Sequence, residues 1–286
     1  MRDLLLAHHY NSELEIITTT GDRGQRTPTA EMTGKALFTK EIEEALLARD
    51  IDLAVHSLKD MSIVLPEGLM LTAVPTREDP RDAVVARHGG DFDGLAAGAR
   101  VGTASVRRMS AVKSLRPDLE VTTIRGNVPT RLQRVADDEV DAVILAMAGL
   151  RRLGLASGAE PIDPSRLVPA PGQGALGIQT RADDPAILAA VRRIDAEEAH
   201  TAVRAERAAL EGLDSGCAVP IGAHCSQGEL TVAVYAIDGS QTLRVTLKVD
   251  LDAPERSGRA AAANLEMQGA GELIQAALDD AENKGG

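Results

Sequence analysis

At 286 residues the chain has room for two or three domains, and 44% apolar with 26% charged residues excludes global disorder. A net charge of −12 argues against a generic polyanion binder, and four aromatics (Tyr10, Phe38, Phe92, Tyr235) with no tryptophan are too few for a single-stranded nucleic-acid platform. Two cysteines, Cys217 and Cys225, make no disulfide framework, and no apolar run nears the ~20 residues that span a bilayer. A soluble cytoplasmic chain is expected, without a secretory leader in the short apolar stretch after Met1.

The β-branched run Leu14 to Thr20 reads as a strand, and the Gly-, Pro- and Thr-rich residues 21–34 as a long functional loop. Phe38 to Arg49 is an amphipathic helix with Phe38, Ile42, Ala45 and Leu46 on one face. Ile51 to His56 follows as a buried strand, an order that implies a parallel sheet. The same grammar returns with strand 100–103, helix 106–115, strand 119–124, helix 129–136, strand 141–146 and helix 148–153. Residues 161–174 read as a linker or crossing, and 185–213 as an Ala-rich helix broken near Asp195. Two alternating segments, 229–237 and 242–249, flank the hairpin signal Asp238-Gly239, and a helix from about 259 to 280 closes the chain. The fold class expected is α/β: two α/β domains and a small α+β domain.

Charge is uneven. Residues 100–155 hold ten basic and six acidic side chains inside an acidic protein, which points to a localised anion site. Any single arginine is more often a solvated helix face. Placement shifts the odds: Arg107 and Arg108 open a helix after a strand, Arg125 sits at a strand end, and Arg131 lies in the helix that follows. In open α/β sheets ligands bind at such strand ends. Gly172 to Gly177 spells a dinucleotide fingerprint but leads into a strand-like run rather than a helix, so it reads as a close-approach loop. No metal-ligand spacing emerges.

Three segments carry more chemistry. In His56 to Asp60 a buried strand ends in ionisable groups, although an aspartate there commonly caps a turn. Arg125 to Arg131 is the second. The third, Gly216 to Gly222, sets Cys217 in a glycine-flanked turn; most lone cysteines are buried hydrophobes, whereas an accessible one suits a nucleophilic or covalently modified role.

In order along the chain, TTGD (19–22), GKALFTKE (34–41), IDLAVHSLKDM (51–61), REDPRDA (77–83), VGTASVRR (101–108), RGNVPTRL (125–132), PGQGALGI (171–178) and GCAVPIGA (216–223) resemble hydroxymethylbilane synthase, also called porphobilinogen deaminase. The resemblance spans nearly the whole chain. It implies two periplasmic-binding-protein-like domains around a cleft, 1–76 with 175–193 and then 77–174, followed by a C-terminal domain, 194–286. It implies a dipyrromethane cofactor on Cys217 through a thioether, and coupling of four porphobilinogen units before hydrolysis frees hydroxymethylbilane.

Loss of ammonia from the aminomethyl arm leaves a cationic azafulvene, and Asp60 matches the family's catalytic carboxylate that stabilises such charge. The acid arms of each pyrrole need guanidinium forks. By the resemblance Asp22, Ser57, Lys59, Thr103, Ser105, Arg107, Arg108 and Arg125 face the cofactor. Lys35, Phe38, Arg131, Arg152 and Gln173 face the substrate. Porphobilinogen is the partner implied, with no nucleic acid or membrane, and a monomer is expected.

The sequence also departs from the family pattern. Met1 to His9 matches only the tail of the family's first helix, so a first strand is expected to be missing and the chain alone to be unstable or inactive. Ser62 and Ala36 replace a usual proline and glycine. A non-catalytic small-anion binder on the same scaffold is the alternative, and retention of Asp60 and Cys217 favours the enzyme.

Overall fold

A computed structural model describes residues 1–19, 39–213 and 219–285. In chain order come α1 (Arg2–Ala7), α2 (Lys40–Ala48), β1 (Leu53–Ser57), β2 (Leu69–Ala73), β3 (Asp82–Ala86), β4 (Arg100–Gly102), α3 (Val106–Leu115) and β5 (Glu120–Thr122). Then follow α4 (Val128–Ala136), β6 (Ala142–Ala146), α5 (Met147–Arg152), β7 (Ala159–Pro161), β8 (Leu176–Arg181), α6 (Pro185–Val191) and α7 (Glu197–Gly212). β9 (Ile221–Ser226), β10 (Glu229–Tyr235), β11 (Thr242–Lys248), α8 (Pro254–Met267) and α9 (Ala270–Gly285) complete the chain. Two compact units result: residues 1–77 with 175–201, and 78–174 with 202–286.

In the first unit the sheet runs β1-β8-β2, and both pairings are antiparallel, with Leu53 opposite Thr180 and Ser57 opposite Leu176. The parallel sheet read from local order is therefore not what forms among the described residues. β8 returns from far along the chain and takes the central place, a pairing that local order does not encode. Residues 11–19 form no strand either, and Leu14 and Ile16 are 70% and 80% exposed. β-branched composition supplies propensity, but a strand also needs a neighbouring edge, which local composition does not encode.

Leu46, Ala54 and Leu69 pack on one side of the unit, and Leu5, Ala73, Ile178, Val191 and Ile194 form a second cluster. A buried polar line crosses β1 and β8. His56 Nε2 lies 2.9 Å from Gln179 Oε1, and Gln179 Nε2 donates to Glu43 on α2 at 3.0 Å. Burial pushes the His56 pKa below its ordinary value, against the opposing pull of the Gln179 bond and the Glu43 charge. The helix break near Asp195 forms as expected. There the Asp195 carboxylate accepts the Val74 N–H at 2.6 Å and faces His200 Nδ1 at 2.9 Å.

The second unit contains a five-stranded sheet, β5-β4-β6-β3-β7, in which β4 is parallel to β5 and β6 while β3 is antiparallel to β6 and β7. Strand alternation divides its core: Ala142 and Ile144 of β6 point into one cluster, Val143 and Leu145 into the other. The antiparallel sheet β11-β10-β9 carries α8 and α9. Tyr235 on β10 is buried in the same cluster as Ile144, and its hydroxyl accepts the Val168 N–H at 3.1 Å. The hairpin turns at Asp238-Gly239 as read. The single closing helix does not form: α8 starts at Pro254, and Gly269 separates it from α9.

Candidate active site

The acidic turn belongs to the first unit. β1 ends at Ser57 and runs straight into a 3-10 turn, Leu58–Asp60. Leu58 and Met61, three apart and so on one side of such a turn, are 1% and 0% exposed. The Leu58 N–H bonds to Ala175 O at 3.1 Å, and Met61 N–H to Leu58 O at 3.2 Å. Leu58 packs so closely on Gly177 that any Cβ there would collide with its Cδ1. Pinned by these apolar neighbours, the turn presents Lys59 half-buried and Asp60 exposed, and no hydrogen bond ties the Asp60 carboxylate among the described residues.

The basic edge belongs to the second unit. Because β4, β5 and β6 are parallel, α3, α4 and α5 all start at one edge of the sheet, and antiparallel β3 begins there too, with Asp82 opposite Ala146. Thr103 Oγ1 accepts the Ser105 N–H at 3.2 Å, and Ser105 Oγ caps α3 at the Arg108 N–H (3.4 Å). Arg107 and Arg108 thus occupy the first turn of α3, where the helix dipole disfavours cations.

Asp82 compensates. It is fully buried and receives Arg107 Nη1 (2.8 Å), Arg107 Nη2 (3.2 Å), Arg108 Nε (2.8 Å) and Gln173 Nε2 (3.0 Å). Burial, the largest influence on its pKa, pushes upward, yet the two arginine charges and the bonds from Arg107 and Gln173 hold the carboxyl below the usual carboxylate range. Arg107 also donates to Val168 O, and Arg108 to Ile144 O and Gln173 Oε1.

Arg131 joins the same edge. Its Nε donates to Gly126 O at 2.8 Å, and its pKa is pushed down first by burial and then by the Arg108 charge. Gly126 has φ +116°, with Thr130 close behind it, so the bend before Arg131 requires glycine. Arg152 donates to Gly174 O at 2.8 Å. Gly174 has φ +85° and lies so close to Glu78 O that a side chain would not fit. Arg125 is exposed and makes no hydrogen bond among the described residues. Guanidinium groups held in this way can receive carboxylates in bidentate geometry.

The structure thus brings Thr103, Ser105, Arg107, Arg108, Arg131, Arg152 and Gln173 to one sheet edge of the second unit, and Ser57, Lys59 and Asp60 to one strand end of the first. Asp22, Lys35, Phe38 and Cys217 lie outside the described residues. In the second unit two buried carboxylates escaped the sequence reading. One is Asp82, for which the only signal is an aspartate opening the apolar run DAVVA. The other is Glu206 on α7, which accepts the N–H groups of Gly172 and Cys225, both at 2.7 Å. Glu206 thereby ties the turn that carries Gln173 to β9.

Two family models match the chain: "Porphobilinogen deaminase, dipyromethane cofactor binding domain" over residues 1–189 and "Porphobilinogen deaminase, C-terminal domain" over 200–267. The chain belongs to the porphobilinogen deaminase family. A porphobilinogen deaminase of Syntrophobacter fumaroxidans is 47% identical over 239 residues, covering 82% of this chain and 77% of that protein. One from Bacillus thuringiensis is 46% identical over 275 residues, covering 94% and 88%. Among solved structures, the periplasmic VFT2 domain of Bordetella pertussis BvgS aligns at 18% identity and a TM-score of 0.37, over 67% of this chain and 73% of that one. As the family model's own description states, residues 1–189 are those of a dipyrromethane-binding domain. Among the described residues no helix is long and apolar enough to cross a membrane.

Proposed function

We infer that the chain is a transferase that deaminates porphobilinogen, couples four units head to tail on a covalent dipyrromethane primer and releases hydroxymethylbilane by hydrolysis, the reaction of its family. At the level of residues, the observation that carries the reading is the contrast of a bare carboxylate, Asp60, with a cluster of guanidinium groups anchored at a sheet edge. A dipyrromethane bears several carboxylate arms, and the donor set of Arg107, Arg108, Arg131 and Arg152 fits a polycarboxylate. When bound, the cofactor supplies the free pyrrole carbon onto which substrate is joined.

Cys217 would hold that group through its sulfur. Asp60 would offer negative charge and a proton acceptor to pyrrole nitrogens, which suits an exposed carboxylate on a turn anchored by buried Leu58 and Met61. The arginines neutralise acid arms, with Arg125 free to follow a lengthening chain. Ser57, Lys59, Thr103 and Ser105 add polar contacts, while Asp22, Lys35, Phe38 and Gln173 complete the reading. Residues 194–286 act as a third domain, and the protein works as a cytoplasmic monomer.

Intact mass and turnover together test this. Asp60→Ala should keep the dipyrromethane mass on the chain and lose turnover, and Cys217→Ser should lose the added mass. An Asp60→Ala protein as active as the parent would remove Asp60 from the mechanism, and an unmodified Cys217 in active protein would remove the tether.

A further inference from the structure

We propose that Asp82, with Gln173 as its second clamp, is a positioning residue for the family reaction: it fixes the planes of the Arg107 and Arg108 guanidinium groups so that the acid arms of cofactor and substrate meet them in one register. The inference rests on the anion-binding reading of those two arginines and goes beyond it.

Three observations support it. First, Asp82 is fully buried and sits at the start of β3, beside the carboxyl end of β6, so it reaches the first turn of α3 from beneath. Second, it does not merely neutralise. One carboxylate engages both arginines, through Nη1 and Nη2 of Arg107 and Nε of Arg108, and this sets the tilt of each fork. Of the five N–H donors of Arg107, Asp82 and Val168 O take three, leaving Nε and one Nη2 hydrogen for a ligand.

Third, Gln173 reads both partners at once. Its Nε2 donates to Asp82 (3.0 Å) and to Pro80 O (2.7 Å), and its Oε1 accepts from Arg108 (3.3 Å), which fixes the amide's orientation. Buried Gln173 thereby orients Arg108 through its amide oxygen. The neighbouring Arg131 feels the Arg108 charge, so this edge keeps a surplus of cations over its one buried carboxylate.

Charge and geometry predict opposite outcomes for Asp82→Asn. The substitution keeps the shape and makes the edge more positive by one charge. If Asp82 only tempered the charge, an anionic substrate would bind more tightly. If it holds the forks in place, two mutually repelling guanidinium groups lose their common acceptor and binding weakens.

The full chain is expressed as Asp82→Asn, Asp82→Glu and Gln173→Met, with Arg107→Gln and Arg108→Gln as references. Intact mass gives the fraction carrying dipyrromethane, and steady-state assays below the melting temperature give kcat and KM for porphobilinogen. Asp82→Asn should lower occupancy and raise KM at least tenfold, with a smaller change in kcat; Asp82→Glu should recover part of both. Gln173→Met, which leaves the ion pairs, should raise KM about threefold.

Full occupancy with an unchanged or lower KM in Asp82→Asn overturns the inference. If that variant does not fold, an unchanged KM and occupancy in Gln173→Met overturns it instead. The reading beneath fails separately: insensitivity of occupancy and KM to both arginine variants would show that these side chains receive no acid arm.

Discussion

Asp60 and Asp82 are both aspartates at a strand terminus, and the protein holds them in opposite ways. Asp60 closes a short turn in the first unit, exposed and without a hydrogen bond among the described residues. Asp82 opens β3 in the second, buried and gripped by two arginines and a glutamine. A carboxylate that must meet developing charge on a reactant is worth most when no resident cation has already neutralised it. One that must hold cations still is worth most where water does not screen it. Local chemistry is the same; burial and partners decide whether it acts on substrate or on the protein.

Swapping the two fates should separate activity from stability. The largest expected effect is Asp60→Ala: turnover falls about 10²–10⁴-fold, the usual contribution of a positioned acid or base, while unfolding free energy moves by no more than about 0.5 kcal/mol, as at other exposed sites. Single-turnover kinetics and urea unfolding on one preparation check both halves. Asp82→Ala should differ by losing stability above all, beside the weaker cofactor and substrate binding argued for Asp82→Asn. Leaving two guanidinium groups buried without their acceptor costs about 3–5 kcal/mol, read as a lower urea midpoint. A loss under about 1 kcal/mol would dissolve the contrast between the two aspartates.

Much of this architecture is legible from pattern. Helix 106–115 coincides with α3 because Ser105 caps it and its apolar spacing is helical. The hairpin at Asp238-Gly239 and the break at Asp195 follow from turn chemistry. What is not legible depends on distant partners. β2 and β3 are short apolar runs whose identity comes from β8 and β6. Leu14 to Thr19 has strand composition yet forms no strand among the described residues. Arg107 and Arg108 are readable as cations at a helix start, but their burial on Asp82 is not, since nothing local links residue 82 to 107. For Asp60 the legible part was the more useful one: the strand does end in ionisable groups with Asp60 outward, although β1 is not the fully buried strand expected, since Ala54 and His56 are buried while Val55 and Ser57 are exposed.

Acid should break the two units in sequence. Buried His56 has a pKa below 6.5, so the unfolded chain takes up a proton that the folded one refuses. Its contribution to stability is complete above about pH 6.5 and is lost as pH falls through the lowered folded value. Asp82 has a pKa below 3.8, so its contribution is complete above about pH 4 and goes only as pH falls further toward the folded value. Protection factors of the β1 amides, taken against the intrinsic exchange rate at each pH, should therefore fall between pH 7 and 5 while those of β3 hold. His56→Gln should flatten the β1 response. Equal loss in both strands over that range would contradict this assignment.

The smallest expected effect concerns how Arg131 is held. Asn127 caps α4 by accepting the Thr130 N–H at 2.9 Å, and Arg131 lies in that first turn. Asn127→Ala should cost about 1 kcal/mol, the ordinary worth of an N-cap. Its effect on substrate binding should be smaller than that of losing Asp82, because Arg131 has a second anchor, the 2.8 Å bond from its Nε to Gly126 O. That anchor depends on the left-handed bend at Gly126 rather than on the cap. A twofold to threefold rise in KM for Asn127→Ala is the expected outcome. A rise as large as that of Asp82→Asn would mean that the guanidinium groups of this edge are set by their helix starts and not by the buried carboxylate beneath them.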